Sequence, residues 1–371
     1  MTLTDSVERE VTRLRDALLQ EADKFWRAGR MEAHNGELIA AFRRLFLRIR
    51  RQQEDGTKAG IAFVHFSYLR SWLLLGRLVY SMEAYDDRWY VDRNECVEMI
   101  ELSWLYPLLH SFKRELGTKL SGTVPEMEQE AILLREITVL HQYVREWVRR
   151  LVPQLIALPE FRQVERSGVL RFRTGEYKDF SEPIWKENVA DKDAAALKRW
   201  LEKKWPNGYM NSDFRGLNLS GGNYEDLDLR YSHCERSDFS GARLNRSVCI
   251  GTDFSRGILT GADLSQSLLY DADFSGSDLR GARLTETVGG ERFIHEGMVL
   301  GFGGVRFNGA NLEGANLLYA DLAGADFRGA HMAGAAILKR DAVHWRLSEE
   351  QKRSVVWMEE DDSGVPVPAN E

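Results

Sequence analysis

The chain has 371 residues, of which 43% are hydrophobic and 29% charged, with a formal net charge of −7. That length and apolar content support two packed domains and exclude a wholly disordered chain. The three cysteines, Cys96, Cys234 and Cys249, show no paired spacing, which excludes a disulfide framework and suits a reducing compartment.

The N-terminal MTLTDSVEREV lacks the apolar run of a signal peptide. Leu3, Val7, Val11, Leu14, Leu18, Ala22 and Phe25 recur at helical spacing, so a first amphipathic helix is expected. A second follows in LIAAFRRLFLRIRRQ, with Leu38, Phe42, Leu45 and Ile49 on one face. Arg43, Arg44, Arg48, Arg50 and Arg51 occupy much of its remainder. They read as a solvated face rather than a nucleic-acid patch, because no glycines or exposed aromatics interleave with them.

Residues 60–93 change character. AFVHFSYLRSWLLL and RLVYSMEAYDDRWYVD are rich in aromatic and β-branched residues, so a hairpin or small sheet packed on the helices is expected, although period-two alternation is weak. His65, Ser67, Arg70, Ser71 and Arg77 interrupt the apolar run at 61–80 and argue against a membrane span. These readings place the protein in the cytoplasm.

Asp92 then reads as the N-cap of a helix reaching about Leu116 and carrying Cys96, Met99, Ile100, Trp104 and Leu108, with Pro107 as a kink. A break is expected at 117–122, and Pro125 opens a helix to about Val152 that Pro153 ends or kinks. VLRFRTGEYKDF suggests a hairpin turning at Thr174–Gly175, followed by a loop with Pro183. The division expected is thus a mainly helical α+β domain over 1–192 and a linker with a capping helix over 193–210. A repeat region over 211–340 follows, then a capping helix N-capped by Ser348 and a disordered acidic tail over 341–371.

From Asn211 to Lys339 the chain repeats every five residues: SDFRG, LNLSG and, further on, ADLSQ, ADFSG, ANLEG, ADFRG. The central position runs Phe214, Leu219, Tyr224, Leu229 and onward to Ile337. The residue two before it is usually Ala, Ser, Gly or Thr; Leu217, Leu227 and Val305 depart from this. Period five fits neither helix nor flat strand. It suits a square coil with the large side chain filling the middle and the small one under the next coil. The pattern resembles A(D/N)LXX of the pentapeptide-repeat family. That resemblance implies a right-handed quadrilateral β-helix with four repeats per coil, following the mainly helical domain in a multi-domain α + β chain. Cys234 and Cys249 fall at centres and read as core residues.

With four sides per coil, outward residues twenty apart share a face. One face carries Val248, Ile250, Leu268 and Tyr270 where the others carry Asp, Asn, Arg and Ser. Taking Gly289 as a weak centre adds Val288. Restarting at Phe302 gives twenty-four repeats with a loop insertion near 290–301, and returns Leu318, Ala336 and Leu338 to that face. The expected stripe is a contact surface, covered by another part of the chain, a second copy or an external protein.

No metal, cofactor or catalytic motif is found. The eight histidines make no HExxH and no Cys/His metal spacing, and there is no P-loop, GxGxxG or GxSxG. His65 and His141 read as core or surface histidines. Glu83, Asp86, Asp87, Trp89 and Tyr90 form the densest polar–aromatic cluster of the first domain, for which turn chemistry is an equal account. The expectation is therefore a non-enzymatic interaction scaffold or regulator. The family resemblance implies an alternative, a DNA mimic acting on gyrase and other type II topoisomerases. The segment FVHFSYLR…EAYDDRWYVD resembles N-terminal regions of pentapeptide-repeat proteins encoded beside peptide-modifying enzymes, which implies an accessory role to such an enzyme.

Overall fold

The computed structural model describes residues 3–94, 96–188, 192–206, 208–291 and 303–369, and the chain divides into two compact units, one up to residue 188 and the other from 192. In the first, α1 (Leu3–Arg27) and α2 (Asn35–Glu54) precede β1 (Ile61–Tyr68), α3 (Arg70–Leu74), β2 (Val79–Tyr85) and β3 (Cys96–Glu101). Then come α4 (Tyr106–Leu120), α5 (Glu126–Ile137), α6 (Val139–Ala157), α7 (Pro159–Arg162), β4 (Arg166–Glu176) and β5 (Ser181–Asn188). The strands form one sheet in the order β3-β2-β1-β4-β5, with β1 and β4 parallel and the other pairs antiparallel.

Helices cover one face of this sheet. Phe42 and Phe46 of α2 and Val148 of α6 share a core with Phe66, Met82, Leu170 and Phe172 from the strands. A separate small cluster of Ala62, Phe63, Tyr85 and Trp89 lies on the other face. Every residue of β2 and all but the last of β1 are buried. Strands buried on both faces need no polar alternation, which is why these two showed none.

Several expectations are corrected. The antiparallel pair expected within 60–93 forms as β1 and β2, but it belongs to a five-stranded sheet. Cys96, Met99 and Ile100 belong to β3, not to a helix capped by Asp92. The helix-facing side of β3 carries Glu98, which pairs with Arg44 at 2.6 Å and Arg48 at 3.1 Å, so an inward carboxylate interrupts the apolar alternation a strand would show. Pro107 sits in the first turn of α4, where its missing N–H costs nothing. That helix runs through Gly117. Pro153 lies inside α6, which continues to Ala157. Gly175 is within β4 and Pro183 within β5; a Cβ at Gly175 would fall 2.1 Å from the Phe180 carbonyl oxygen, so close strand approach, not a turn, explains that glycine.

The second unit opens with α8 (Ala194–Leu201), N-capped by Asp193, whose carboxylate accepts from the Ala196 N–H at 3.0 Å. Leu201 is buried with Tyr209 and Phe214, and Trp200 packs edge-on against Tyr209. Parallel bridges then join residues twenty apart: Asp213 to His233 to Asp253, Val248 to Leu268. The chain returns onto itself every four repeats. Centres such as Phe254, Leu264 and Leu284 are wholly buried. Hydroxyls at the small position are also buried but satisfied, as Thr252 Oγ1 donates to the Leu229 carbonyl and Ser267 Oγ to that of Leu244. Two residues after nearly every centre the backbone turns through the left-handed region, as at Gly216 (φ +70°), which accounts for glycine there. Tyr231 and Arg236 take the same conformation without it.

The register past the interruption differs from the expected one. Asp273 bridges Arg306 and Val288 bridges Asp321, so Phe307 stacks on Phe274 at 5.4 Å and the first side resumes at Phe307. The proposed restart at Phe302 and most of the loop near 290–301 lie outside the described residues. Gly289 does serve as a centre. A Cβ there would meet Val305 Cγ1 at 3.0 Å, and Val305 fills the volume from a position that is usually small.

The C-terminal end also departs from expectation. β6 (Ala336–Leu338) pairs parallel to β7 (Val356–Glu360), which pairs antiparallel to β8 (Pro366–Pro368). Between them α9 (Glu349–Ser354) carries a capping box of Ser348 and Gln351. Gln351 Nε2 donates to the carbonyls of Phe327 and Ala330, satisfying backbone groups at the end of the stack. The expected disordered tail is thus largely a hairpin. Among the described residues no helix is long and apolar enough to cross a membrane.

Candidate functional site

Two regions carry the sequence candidates, one on each unit. On the repeats, Val248, Leu268 and Val288 follow one another along a single bridge column that begins at Asp228 and ends at Asp321. All three are half-buried, as are Ile250 and Tyr270 beside them. The apolar run therefore spans three turns, about 10 Å between its outer strands at the usual spacing. Leu318, Ala336 and Leu338 do not join it. They lie on the neighbouring side, with Asn316 bridging Arg283 and Ala336. Leu338 is also buried, beside β7.

The other sides are strongly charged but internally paired. An Asp before a centre binds the Arg just after it in Asp213–Arg215 at 2.7 Å, Asp278–Arg280 at 2.7 Å and Asp326–Arg328 at 2.6 Å, and the same pair, Asp228–Arg230 at 2.6 Å, stands at the start of the apolar column. Burial pushes the Asp213 carboxyl up, but hydrogen bonds from Arg215 and Lys192 outweigh it and hold the group down to about 2. On the same side, Arg215, Glu235, Arg236, Asp253, Arg256 and Asp273 line a cavity of about 660 Å³. Burial, and then the charge of Asp253, push the Glu235 carboxyl up to about 7.

On the first unit, strand register builds a polar grid on the sheet face away from the helices. Glu83, His65 and Arg173 are paired in one row across β2, β1 and β4. Ser81, Ser67, Gly175 and Ser181 form the row on one side, and Tyr85, Phe63, Arg171 and Lys186 the row on the other. His65 and Glu83 are fully buried, and Ser67 and Ser81 nearly so. Glu83 accepts hydrogen bonds from Ser67 Oγ at 2.8 Å and from Ser81 Oγ. Burial, and then the charge of Arg173, hold the His65 imidazole down to about 3, so it is neutral near pH 7.

The segment between β2 and β3 folds over this face. Trp89, in the left-handed region at φ +57°, lies 4.2 Å from the Phe63 ring and 5.5 Å from that of His65. The Tyr90 hydroxyl is 3.3 Å from His65 Nδ1. A buried ion pair pins the segment: Lys58 Nζ binds Asp92, which also accepts from the N–H groups of Asp86 and Asn94 and lies 3.9 Å from Arg88 Nη2. Of the five residues the sequence singled out, Glu83, Trp89 and Tyr90 meet around His65. Asp86 instead turns to Arg88 at 2.5 Å, and Asp87 is exposed.

The pentapeptide repeat family model matches residues 210–246, 247–285 and 302–337. The second unit carries pentapeptide repeats. No curated protein matches the chain. Among solved structures it is similar to the pentapeptide repeat protein Rfr23 from the cyanobacterium Cyanothece 51142, at 21% identity over 35% of this chain and 86% of that one, with a TM-score of 0.22. It is similar also to a pentapeptide repeat protein of the Arabidopsis thaliana thylakoid lumen, at 24% identity over 38% and 69% of the two chains, with a TM-score of 0.16. A third is QnrB1, a plasmid-mediated fluoroquinolone resistance protein, at 19% identity over 35% and 71%, with a TM-score of 0.15.

Sequence reasoning missed His65, Ser67, Ser81, Arg171 and Arg173 as members of one cluster. The signal was present as three polar pairs at i, i+2 within apolar strands: His65 and Ser67, Ser81 and Glu83, Arg171 and Arg173. Only strand pairing brings them together. The arginines of α2 take partners within the unit, with Arg43 on Glu160 at 3.0 Å and Arg50 on Glu54 at 2.7 Å besides the Glu98 pairs. Among the described residues no group of three or more His, Cys, Asp or Glu is placed to hold a metal ion.

Proposed function

We propose that the protein is a non-enzymatic interaction scaffold. In this reading the pentapeptide repeats close into a right-handed quadrilateral β-helix that offers the Val248–Leu268–Val288 column and Ile250 to a bacterial, cytoplasmic protein partner. The single observation that carries it is this apolar column on a surface whose other sides are mainly polar, with Asp–Arg pairs at several coils. The twenty-residue bridge period supports the coil geometry, and a rigid ladder holds the apolar side chains at fixed spacing. A half-buried apolar patch with a charged border has the composition of a contact surface.

The pairing weighs against the DNA-mimic reading. Carboxylates neutralised two residues away by arginine present little of the uncompensated charge that duplex phosphates carry. An accessory role beside a peptide-modifying enzyme is one form of the scaffold reading, with that enzyme as the partner.

The test is capture of partners by the full chain from its host, compared with Leu268→Asp and Ile250→Asp. Both substitutions are at half-exposed positions, so circular dichroism should be unchanged while the partner is lost. Retention of the same partner by both folded variants would remove the column from the interface. Recovery of gyrase or topoisomerase IV would favour the mimic, and recovery of the chain alone a homodimer.

A further inference from the structure

Arg171 and Arg173 stand apart from the other arginines of the sheet unit. Arg43, Arg44, Arg50, Arg70, Arg77 and Arg88 each meet a carboxylate. Arg171 and Arg173 are half-buried, lie two residues apart on one face of β4, and have no ion pair among the described residues. Their guanidiniums lie instead over aromatic rings, Arg171 over Phe63 at 5.6 Å and Arg173 over Trp89 at 4.8 Å. A third cation, Lys186, is the register partner of Arg171. Burial and the charges of Arg171 and Arg173 hold its ammonium below the usual range, an independent sign that the three crowd one another.

Two buried N–H groups complete the set. His65 Nε2 and Trp89 Nε1 have no hydrogen-bond partner among the described residues. The Tyr90 hydroxyl lies 3.3 Å from His65 Nδ1, and in the tautomer in which that hydroxyl donates, the neutral ring carries its proton on Nε2. An unsatisfied buried donor costs about 1–3 kcal/mol, and like charges held together cost more. Arg173 donates to the Ser181 hydroxyl at 3.0 Å and to its carbonyl, and Arg171 to the Val169 carbonyl at 3.3 Å, but neither arginine meets a carboxylate, and the Trp89 N–H has no acceptor among the described residues. The nearby carboxylates are Glu182 on β5, ion-paired with Arg145 at 2.6 Å, and Glu83 on β2. Glu83 lies two strands from Arg173, about 9–10 Å at the usual strand spacing, and is already engaged by two serine hydroxyls.

We propose that this sheet face binds a small-molecule oxyanion, a carboxylate or phosphate group held by the guanidiniums of Arg171 and Arg173 and by the N–H groups of His65 and Trp89. Paired guanidiniums favour such groups because two parallel N–H donors match two oxygens. The aromatic rings beneath them exclude water and strengthen each contact. Trp89 lies on a connecting segment rather than a strand. The segment's anchor, Lys58 with Asp92, lies outside the donor set.

Isothermal titration of the full chain with phenyl phosphate, benzoate and phenol tests this. Binding of one or both acids but not phenol is expected, and comparison of the two acids identifies which oxyanion the site prefers. Arg171→Met and Arg173→Met should each weaken binding about tenfold or more, the loss of one charge-assisted hydrogen bond. Leu268→Asp, on the other unit, should bind as the unaltered chain does, which separates this site from the scaffold surface. Should the arginine variants fail to fold, Trp89→Phe keeps the ring and removes the N–H, and must still weaken binding. Absence of binding by either acid into the millimolar range, or unchanged affinity in the folded variants, would overturn the proposal.

Discussion

In the pentapeptide repeats a residue's role follows from its place in the five-residue period; in the sheet unit it follows from which strand lies alongside. The repeat centres from Phe214 to Leu284 are buried because each coil makes the same contact with the next. His65 is buried because β2 and β4 flank it and Trp89 covers it, facts no local pattern encodes. A one-dimensional stack repeats its interactions, so one turn predicts the next. A mixed sheet with a parallel β1–β4 pair joins segments about a hundred residues apart, and its contacts are particular to each position.

The comparison can be broken most sharply in the repeats. Phe254, Phe274, Phe307, Phe327 and Trp345 form a ring column with centroid spacings of 4.9, 5.4, 5.3 and 5.4 Å. Phe307→Ala should cost about 3–5 kcal/mol, because the neighbouring rings cannot collapse into the space. Denaturant unfolding followed by circular dichroism measures it; a loss below about 1 kcal/mol would mean the stack relaxes and is not close-packed.

In the sheet unit the corresponding weak point is polar. Lys58→Met leaves the Asp92 carboxylate buried without its cation, and breaking such a pair costs about 3–5 kcal/mol. The double variant Lys58→Met, Asp92→Leu should recover much of the loss, since no charge is then stranded. Equal instability of single and double variants would show that the Lys58 hydrogen bonds to the Ala84 and Asn94 carbonyls matter more.

Two carboxylates on one side of the repeats should respond to pH in opposite directions. The Asp213 carboxyl is held below its unfolded value, so its contribution is present above that value and lost as pH falls through about 2. Asp213→Asn should cost about 2 kcal/mol at neutral pH and little in strong acid, as one pKa unit corresponds to about 1.4 kcal/mol. The Glu235 carboxyl is held above its unfolded value, so its contribution is present below that value and lost as pH rises through about 7. Glu235→Gln should stabilise by on the order of 1 kcal/mol above that pH, after discounting for solvent screening, and be neutral below the unfolded value. Thermal melts at acid and alkaline pH check both signs.

Legibility differed with the same logic. Both N-terminal helices, the short helix opening near Asp193, the N-cap at Ser348 and the burial of Cys234 and Cys249 were readable, because caps and periodic faces are local. The β3 strand was not: Glu98 faces inward to meet Arg44 and Arg48, and an inward acid makes a strand look helical or surface-like. The register past Gly289 also failed on sequence. Phe302 and Phe307 are both phenylalanines five apart, and period alone cannot say which one meets Phe274.

The sequence by itself therefore determined the repeats, the spacing of their core and one apolar column, since a short period imposes the same contact at every turn. Tertiary structure alone decided how far that column extends and which side Leu318 takes. It also decided that His65, Glu83, Arg171 and Arg173 share one sheet face. Strand pairing is long-range, and hydrogen-bond register selects neighbours that no distance along the chain reveals.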